Sequence, residues 1–137
     1  MRGKTGRPER APFINDRLRD VVCRLASVAL FAGGLFYWTR LIGVYDGLLW
    51  RFDTMPIWWR IATPVLAVLY PIAGVGLWLI ASWGIVIWTL VFAIEAIMHL
   101  GFARLFGTAP AQVGLHAFGL VALLMLRVAA LPEQRRK

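Results

Sequence analysis

The sequence predicts an all-α integral membrane bundle of four transmembrane helices, with the N and C termini on the cytoplasmic side. Hydrophobic residues make up 60% of the 137-residue chain and charged residues only 16%, whereas a typical soluble domain has about 45–50% and about 25%. No charged residue occurs between positions 61 and 94. Basic residues gather at the two ends, where they act as topology signals for the apolar segments between them.

The N-terminal segment, residues 1–20, is predicted to be a basic cytoplasmic arm without ordered structure, because Arg and Lys occur there among Gly and Pro. The first span is predicted at about 21–44. Arg24 and Arg40 bracket its uncharged part, and both are expected to reach the membrane interfaces along their aliphatic stems.

Residues 46–55 are expected on the outer surface, either as a short interfacial helix or as a loop whose aromatic side chains enter the headgroup layer. The uncharged stretch that follows would be about 50 Å long as one helix, which is too long for a single crossing. We place the return at 81–84, because Ser and Gly break helices. The second and third spans are therefore predicted at about 57–80 and 84–106.

Residues 107–110, Gly-Thr-Ala-Pro, indicate a break, and a fourth span is predicted at about 112–130. Pro132 is expected to end it and to leave 132–137 as a basic cytoplasmic tail. The chain has seven Lys and Arg near its N terminus and four near its C terminus, against four on the opposite side of the predicted bilayer. This bias predicts cytoplasmic termini, which require an even number of spans.

The net charge of +8 predicts contacts with anionic lipid headgroups through the termini rather than with nucleic acid, because no basic folded face remains outside the spans. Besides the lipid bilayer, the expected partners are other membrane proteins or a second copy of the chain. The sequence has no Walker A loop, Cys-x-x-Cys, His-Glu-x-x-His or Gly-x-Ser-x-Gly motif. We therefore predict no catalytic residue, no metal site and no cofactor, which favours a protein that is not an enzyme.

Three ionisable side chains inside the predicted spans form a candidate intramembrane polar cluster. Glu95 and His99 are four residues apart and share one helix face. His116 is expected at a similar depth, because the third and fourth spans are antiparallel and closely connected. An ionisable residue inside lipid costs about 2.5–3.5 kcal/mol on insertion scales and usually faces the bundle, so it is a functional candidate. The alternative is a protonated Glu95 that only stabilises helix packing.

This cluster suits three kinds of chemistry: a proton relay, a contact with a quinone, or axial ligation of a b-type haem by two histidines. Pro64 and Pro71 bend the second span and each frees a backbone carbonyl, as the broken helices of transporters do. No internal repeat accompanies them, however, and Gly74 and Gly76 indicate close helix packing.

Residues 67–71 (AVLYP), 76–79 (GLWL) and 83–88 (WGIVIW), followed by Glu95 and His99, carry a family resemblance. They resemble a family of uncharacterised small four-span inner-membrane proteins of alphaproteobacteria. The resemblance implies a multi-pass protein of the bacterial inner (plasma) membrane, and it assigns no activity.

Three functions are compatible with these features. The first is a non-enzymatic membrane subunit or scaffold that interacts with other membrane proteins, since the loops are short and the helices are rich in small and aromatic residues. The second is a proton-coupled, quinone- or haem-linked redox role centred on Glu95, His99 and His116. The third is a small transporter in which Glu95 exchanges protons for a substrate.

Overall fold

A computed structural model describes the backbone of residues 14–135 and the side chains of residues 16–129. These residues form helices and no strand: α1 (Ile14–Ile42), α2 (Ile57–Trp78), α3 (Ser82–Ala96), a π-helix (Ile97–Gly101), α4 (Ala103–Phe106) and α5 (Pro110–Arg135). Four segments are long and apolar enough to cross a membrane: Asp16–Ile42, Ile57–Trp78, Ser82–Gly101 and Pro110–Ala129. The prediction of an all-helical chain with four such segments is confirmed.

Helix α1 packs along α2, and small residues set the distance between them. A methyl group added to Gly33 would lie 2.3 Å from Cε1 of Tyr70. The hydroxyl of Ser27 donates a hydrogen bond to the carbonyl oxygen of Gly74 at 2.7 Å. Because small residues let the two backbones approach closely, the ring of Tyr70 is buried between the helices.

Pro71 creates a contact between α1 and α2. A proline has no N–H, so the carbonyl oxygen of Ala67, one turn earlier, loses its helical hydrogen bond. The indole Nε1 of Trp38 donates to that oxygen at 3.1 Å. Pro71 therefore leaves the Ala67 carbonyl of α2 free to accept a hydrogen bond from Trp38 of α1.

The turn between α2 and α3 lies slightly earlier than predicted. Ile80 has a left-handed φ of 54°, and the N–H of Ala81 bonds to the carbonyl oxygen of Gly76 at 2.9 Å, as in a Schellman ending. Helix α3 begins at Ser82, so Gly84 lies inside it. A methyl group on Gly76 would come within 2.5 Å of the Gly84 Cα. Gly84 is therefore needed for the close crossing of the two helices rather than for the turn.

The third membrane-length segment is not one regular α-helix. The N–H of Phe102 bonds to the carbonyl oxygen of Ile97 at 3.0 Å, which is the i to i+5 spacing of a π-helix. The backbone then leaves the helical conformation at Phe102, with φ −119° and ψ 38°, before α4. The predicted span 84–106 thus consists of three elements, and the wider π-helical turn changes the direction of the side chains that follow Glu95.

At both ends the helices extend further than predicted. Helix α1 begins at Ile14, so residues 14–20 of the predicted arm are helical, while residues 1–13 lie outside the described part of the chain. Helix α5 continues through Pro132 to Arg135, although a proline has no N–H for the carbonyl oxygen four residues earlier. The predicted tail at 132–137 is therefore helical to Arg135, and the last two residues lie outside the description.

Residues 43–56 fold as consecutive turns rather than as an interfacial helix. The N–H of Met55 bonds to the carbonyl oxygen of Arg51 at 3.1 Å. The Arg51 guanidinium forms a two-pronged pair with Asp53, with Nε–Oδ1 at 3.1 Å and Nη2–Oδ2 at 2.9 Å. These hydrogen bonds lower the pKa of the Asp53 carboxyl group below its usual value.

Candidate functional site

The carboxyl group of Glu95 is the centre of a buried polar network. Its side chain has no exposed surface. Oε1 accepts hydrogen bonds from the Tyr37 hydroxyl at 3.0 Å, the Tyr70 hydroxyl at 2.5 Å and Nε2 of Gln112 at 2.6 Å. The three donors come from α1, α2 and α5, and Glu95 itself from α3. One carboxyl group therefore joins all four long helices.

The imidazole of His116 completes the network from α5. The indole Nε1 of Trp88 donates to its Nδ1 at 2.8 Å. Because an indole N–H can only donate, Nδ1 carries a lone pair, and the neutral ring has its proton on Nε2. That nitrogen lies 2.9 Å from the Tyr70 hydroxyl oxygen and 3.2 Å from Oε2 of Glu95. Trp88 thus determines both the tautomer and the direction in which His116 donates.

The two oxygens of the Glu95 carboxyl group have unequal surroundings. Oε1 accepts hydrogen bonds from three groups. Oε2 makes no hydrogen bond of good geometry within the described residues, and its neighbour is Nε2 of His116 at 3.2 Å. The network therefore holds the carboxyl group chiefly through Oε1.

Arg40, expected at a membrane interface, lies among aromatic rings. Its Nε and Nη1 are buried and have no hydrogen-bond partner within the described part of the chain. Ring faces carry partial negative charge and stabilise a cation that has no anionic partner. Four ring centres surround its guanidinium carbon, those of Trp59 at 4.7 Å, Phe36 at 4.8 Å, Trp50 at 5.1 Å and Tyr37 at 6.0 Å. The ring of Tyr37 thus contacts the cation, and its hydroxyl donates to the Glu95 carboxyl group.

His99 makes no hydrogen bond to Glu95 or His116 among the described residues. Its Nδ1 pairs with the carbonyl oxygen of Gly107 at 2.8 Å, which connects the π-helix to the segment before α5. The π-helix begins two residues after Glu95, so the i, i+4 argument from a regular helix does not apply. Of the three predicted site residues, the structure brings together only Glu95 and His116.

This arrangement does not favour ligation of haem by two histidines. Both ring nitrogens of His116 are engaged, one by Trp88 and the other by Tyr70. His99 interacts with a different part of the chain. A lone pair for iron on His116 would require loss of an existing hydrogen bond, so the network suits hydrogen bonding rather than axial ligation.

Sequence reasoning missed four members of the network because it considered only ionisable residues in the spans. The missed residues are Tyr37, Tyr70, Trp88 and Gln112. A glutamine in a predicted span, one helical turn before His116, is a signal that could have identified Gln112, since a buried amide needs hydrogen-bond partners. No local signal pairs Trp88 with His116. Their contact depends on Gly119, where an added methyl group would lie 2.6 Å from the Trp88 ring.

A cavity of about 630 Å³ lies between α1 and α5, beside the network. Its apolar walls include five small residues of the two helices, which leave the space between them open: Ala26, Ala29, Gly33, Gly119 and Ala122. Polar side chains line it where α1 and α5 meet the network: Tyr70, Trp88, Gln112 and His116. Its rim includes the exposed residues Leu25, Leu115 and Phe118, so the cavity opens to the side of the molecule.

A protein-family model, described as "Family of unknown function (DUF6163)", matches residues 17–134 of the sequence. The chain belongs to this family. The match includes every residue of the network and nearly all of the four long helices, whereas the resemblance found in the sequence covers only residues 60–99. No curated protein and no solved structure matches the chain. The family description assigns no activity, so a function has to be inferred from the geometry of the site.

Proposed function

We propose that this protein is a multi-pass protein of the bacterial inner membrane that binds an amphipathic, membrane-soluble molecule in the cavity between α1 and α5. The observation that carries the proposal is the composition of the cavity, apolar along its walls and polar at one end. Its volume of about 630 Å³ falls in the range of about 300–1,000 Å³ for small-molecule sites.

The membrane location is supported by the outward-facing side chains. Every long helix exposes large apolar residues, among them Leu25, Ile61, Val86 and Phe118. Such a surface would aggregate in water, and lipid is the solvent that accepts it. The excess of Lys and Arg near the two termini supports their placement in the cytoplasm, where they would contact anionic headgroups.

The position of the network supports binding of a ligand with a polar head. Glu95 accepts three hydrogen bonds behind the cavity, and two of the donors, Tyr70 and Gln112, line it. These groups are held in place before a ligand arrives, which reduces the entropy cost of binding. The head would lie against this end, and an apolar chain would lie between the small residues of α1 and α5.

The proposal is tested by identifying what the protein retains on purification. We expect organic extraction and mass spectrometry of the protein, purified in mild detergent, to recover one amphipathic species in near-stoichiometric amount. Ala29→Phe, which fills the cavity, should reduce that recovery about tenfold or more. Ala93→Phe adds the same ring to an exposed position of α3 outside the cavity and is the matched control. Equal recovery from the two variants would contradict the proposal.

A second candidate is the membrane subunit or scaffold predicted from the sequence, and the packing of α5 favours it. Within residues 110–129 only Val113, His116 and Leu123 are buried, so most of this helix is uncovered. A helix of another membrane protein would bury its exposed face. Pull-down from native membranes with mass spectrometry tests this candidate, and the repeated absence of a stoichiometric protein partner would count against it.

A further inference from the structure

Three of the four polar side chains at the end of the cavity have no hydrogen-bonding group to spare. The Tyr70 hydroxyl donates to Glu95 and accepts from Gln112 Nε2 at 3.1 Å and from His116 Nε2 at 2.9 Å. The N–H of Trp88 donates to Nδ1 of His116. Nε2 of His116 pairs with Tyr70, so both nitrogens of the imidazole are engaged. A ligand therefore gains no hydrogen bond from these residues unless it breaks an existing one.

Gln112 is the exception. Its Nε2 donates to Oε1 of Glu95 and to the hydroxyl oxygen of Tyr70, so the amide nitrogen, and not the amide oxygen, belongs to the network. The amide oxygen accepts no hydrogen bond within the described residues, and it is not among the fully buried atoms without a partner. Gln112 lines the cavity, so this oxygen is the group left for a ligand.

We infer that the ligand has a hydroxyl head, as in a long-chain alcohol or a quinol, that donates a hydrogen bond to the amide oxygen of Gln112; this rests on the proposed function. A quinone, ester or ether head has acceptors only, and it would leave the amide oxygen unpaired in apolar surroundings. An ammonium head carries three donors and would meet a single free acceptor. Among these head groups, a hydroxyl is the one that satisfies the site.

The test uses two probes that differ only in the donor, farnesol and farnesyl methyl ether, with the full-length protein in lipid nanodiscs. Binding of labelled farnesol is measured by equilibrium dialysis, and the ether is measured by competition. We expect farnesol to bind about tenfold more tightly than the ether, the difference that one neutral hydrogen bond provides. Gln112→Met keeps the side-chain length without the acceptor and should bring the ratio close to one.

A matched variant separates this effect from a general disturbance of the network. Tyr37→Phe also removes one hydrogen bond to Glu95, but Tyr37 does not line the cavity and the Gln112 oxygen stays in place. The preference for farnesol should therefore survive in Tyr37→Phe, whatever the change in overall affinity.

The outcomes distinguish the two proposals. Equal binding of the alcohol and the ether, with both lost in Ala29→Phe, would overturn the hydroxyl assignment and leave the cavity as a ligand site. A preference for farnesol over the ether that persists in Gln112→Met would also overturn the hydroxyl assignment and leave the cavity as a ligand site. Failure of both probes to bind, or binding that Ala29→Phe does not affect, would count against the cavity itself and therefore against both proposals.

Discussion

At the scale of single residues, the chemistry of the site depends on side chains that carry no charge. Trp88 determines the tautomer of His116. The amide nitrogen of Gln112 donates to Glu95, while its amide oxygen has no partner within the described residues. The ionisable residues alone, Glu95 and His116, would suggest a buried ion pair. With their neighbours they form a neutral histidine beside a carboxyl group that accepts three hydrogen bonds, which is a different chemical environment.

The contact between Trp88 and His116 predicts the effect of Gly119→Ala. The new methyl group would lie 2.6 Å from the indole ring, so Trp88 has to move and its hydrogen bond to His116 weakens. We expect a loss of about 1–3 kcal/mol in unfolding free energy, measured by denaturation in detergent. The control is Gly114→Ala in the same helix, where an added methyl group meets no atom within 4 Å. If the two variants are equally stable, the packing described for Trp88 is incorrect.

The loop before α2 allows a test of a single ion pair by pH titration. Hydrogen bonds from Arg51 lower the pKa of Asp53, so the pair stabilises the folded loop above the ordinary Asp pKa of about 3.9. That contribution disappears as the pH falls through the lowered pKa. In Arg51→Gln, NMR titration of the Asp53 carboxyl carbon should show a midpoint raised towards the ordinary value. An unchanged midpoint would show that Arg51 does not act on Asp53.

At the scale of elements, features that weaken a helix on its own form contacts between helices. Pro71 removes a hydrogen bond from α2, and Trp38 of α1 uses the acceptor that becomes free. Gly76 and Gly84, poor residues for a helix interior, allow α2 and α3 to approach at their crossing. Because of the π-helix after α3, the side chain of His99 does not follow that of Glu95 into the network, and it pairs with Gly107 instead.

The pairing of Trp38 with the carbonyl freed by Pro71 predicts a coupling between the two positions. Trp38→Phe should cost about 0.6 kcal/mol through the lost hydrogen bond, the average for such bonds inside membrane proteins. In a Pro71→Ala background the helix supplies its own N–H to the Ala67 carbonyl, so the same substitution should cost less. A double-mutant cycle on unfolding free energies measures the difference. Additive effects would mean that the indole hydrogen bond contributes nothing.

At the scale of the whole molecule, one buried carboxyl group of α3 has contacts from three other helices, while each long helix exposes large apolar side chains. A water-soluble bundle would reverse this distribution. In the proposed membrane location, lipid would provide little hydrophobic drive between helices, so packing of small residues and buried hydrogen bonds would have to stabilise the bundle. The network around Glu95 and the glycines of α1, α2 and α3 have these roles.

The even number of predicted spans leads to a test of topology. Single cysteines introduced near Lys137 and in the loop at Gly47, in a Cys23→Ser background, should react from opposite sides of sealed inverted membrane vesicles. The C-terminal cysteine should be labelled by a membrane-impermeant reagent and the loop cysteine only after the vesicles are permeabilised. Labelling of both sites from one side would refute the four-span arrangement.

Composition and the spacing of apolar runs were sufficient to predict four membrane-length helices, because the hydropathy of a segment is a local property of the chain. The partners of Glu95 were decided only by the tertiary structure. Tyr37 is 58 residues away from it in sequence, and its hydroxyl reaches the carboxylate because Gly33 lets α1 approach Tyr70. The separation of His99 from the network depends on a π-helix that no local pattern predicted. Which polar groups meet inside the bundle is a property of helix packing, and packing depends on all four helices at once.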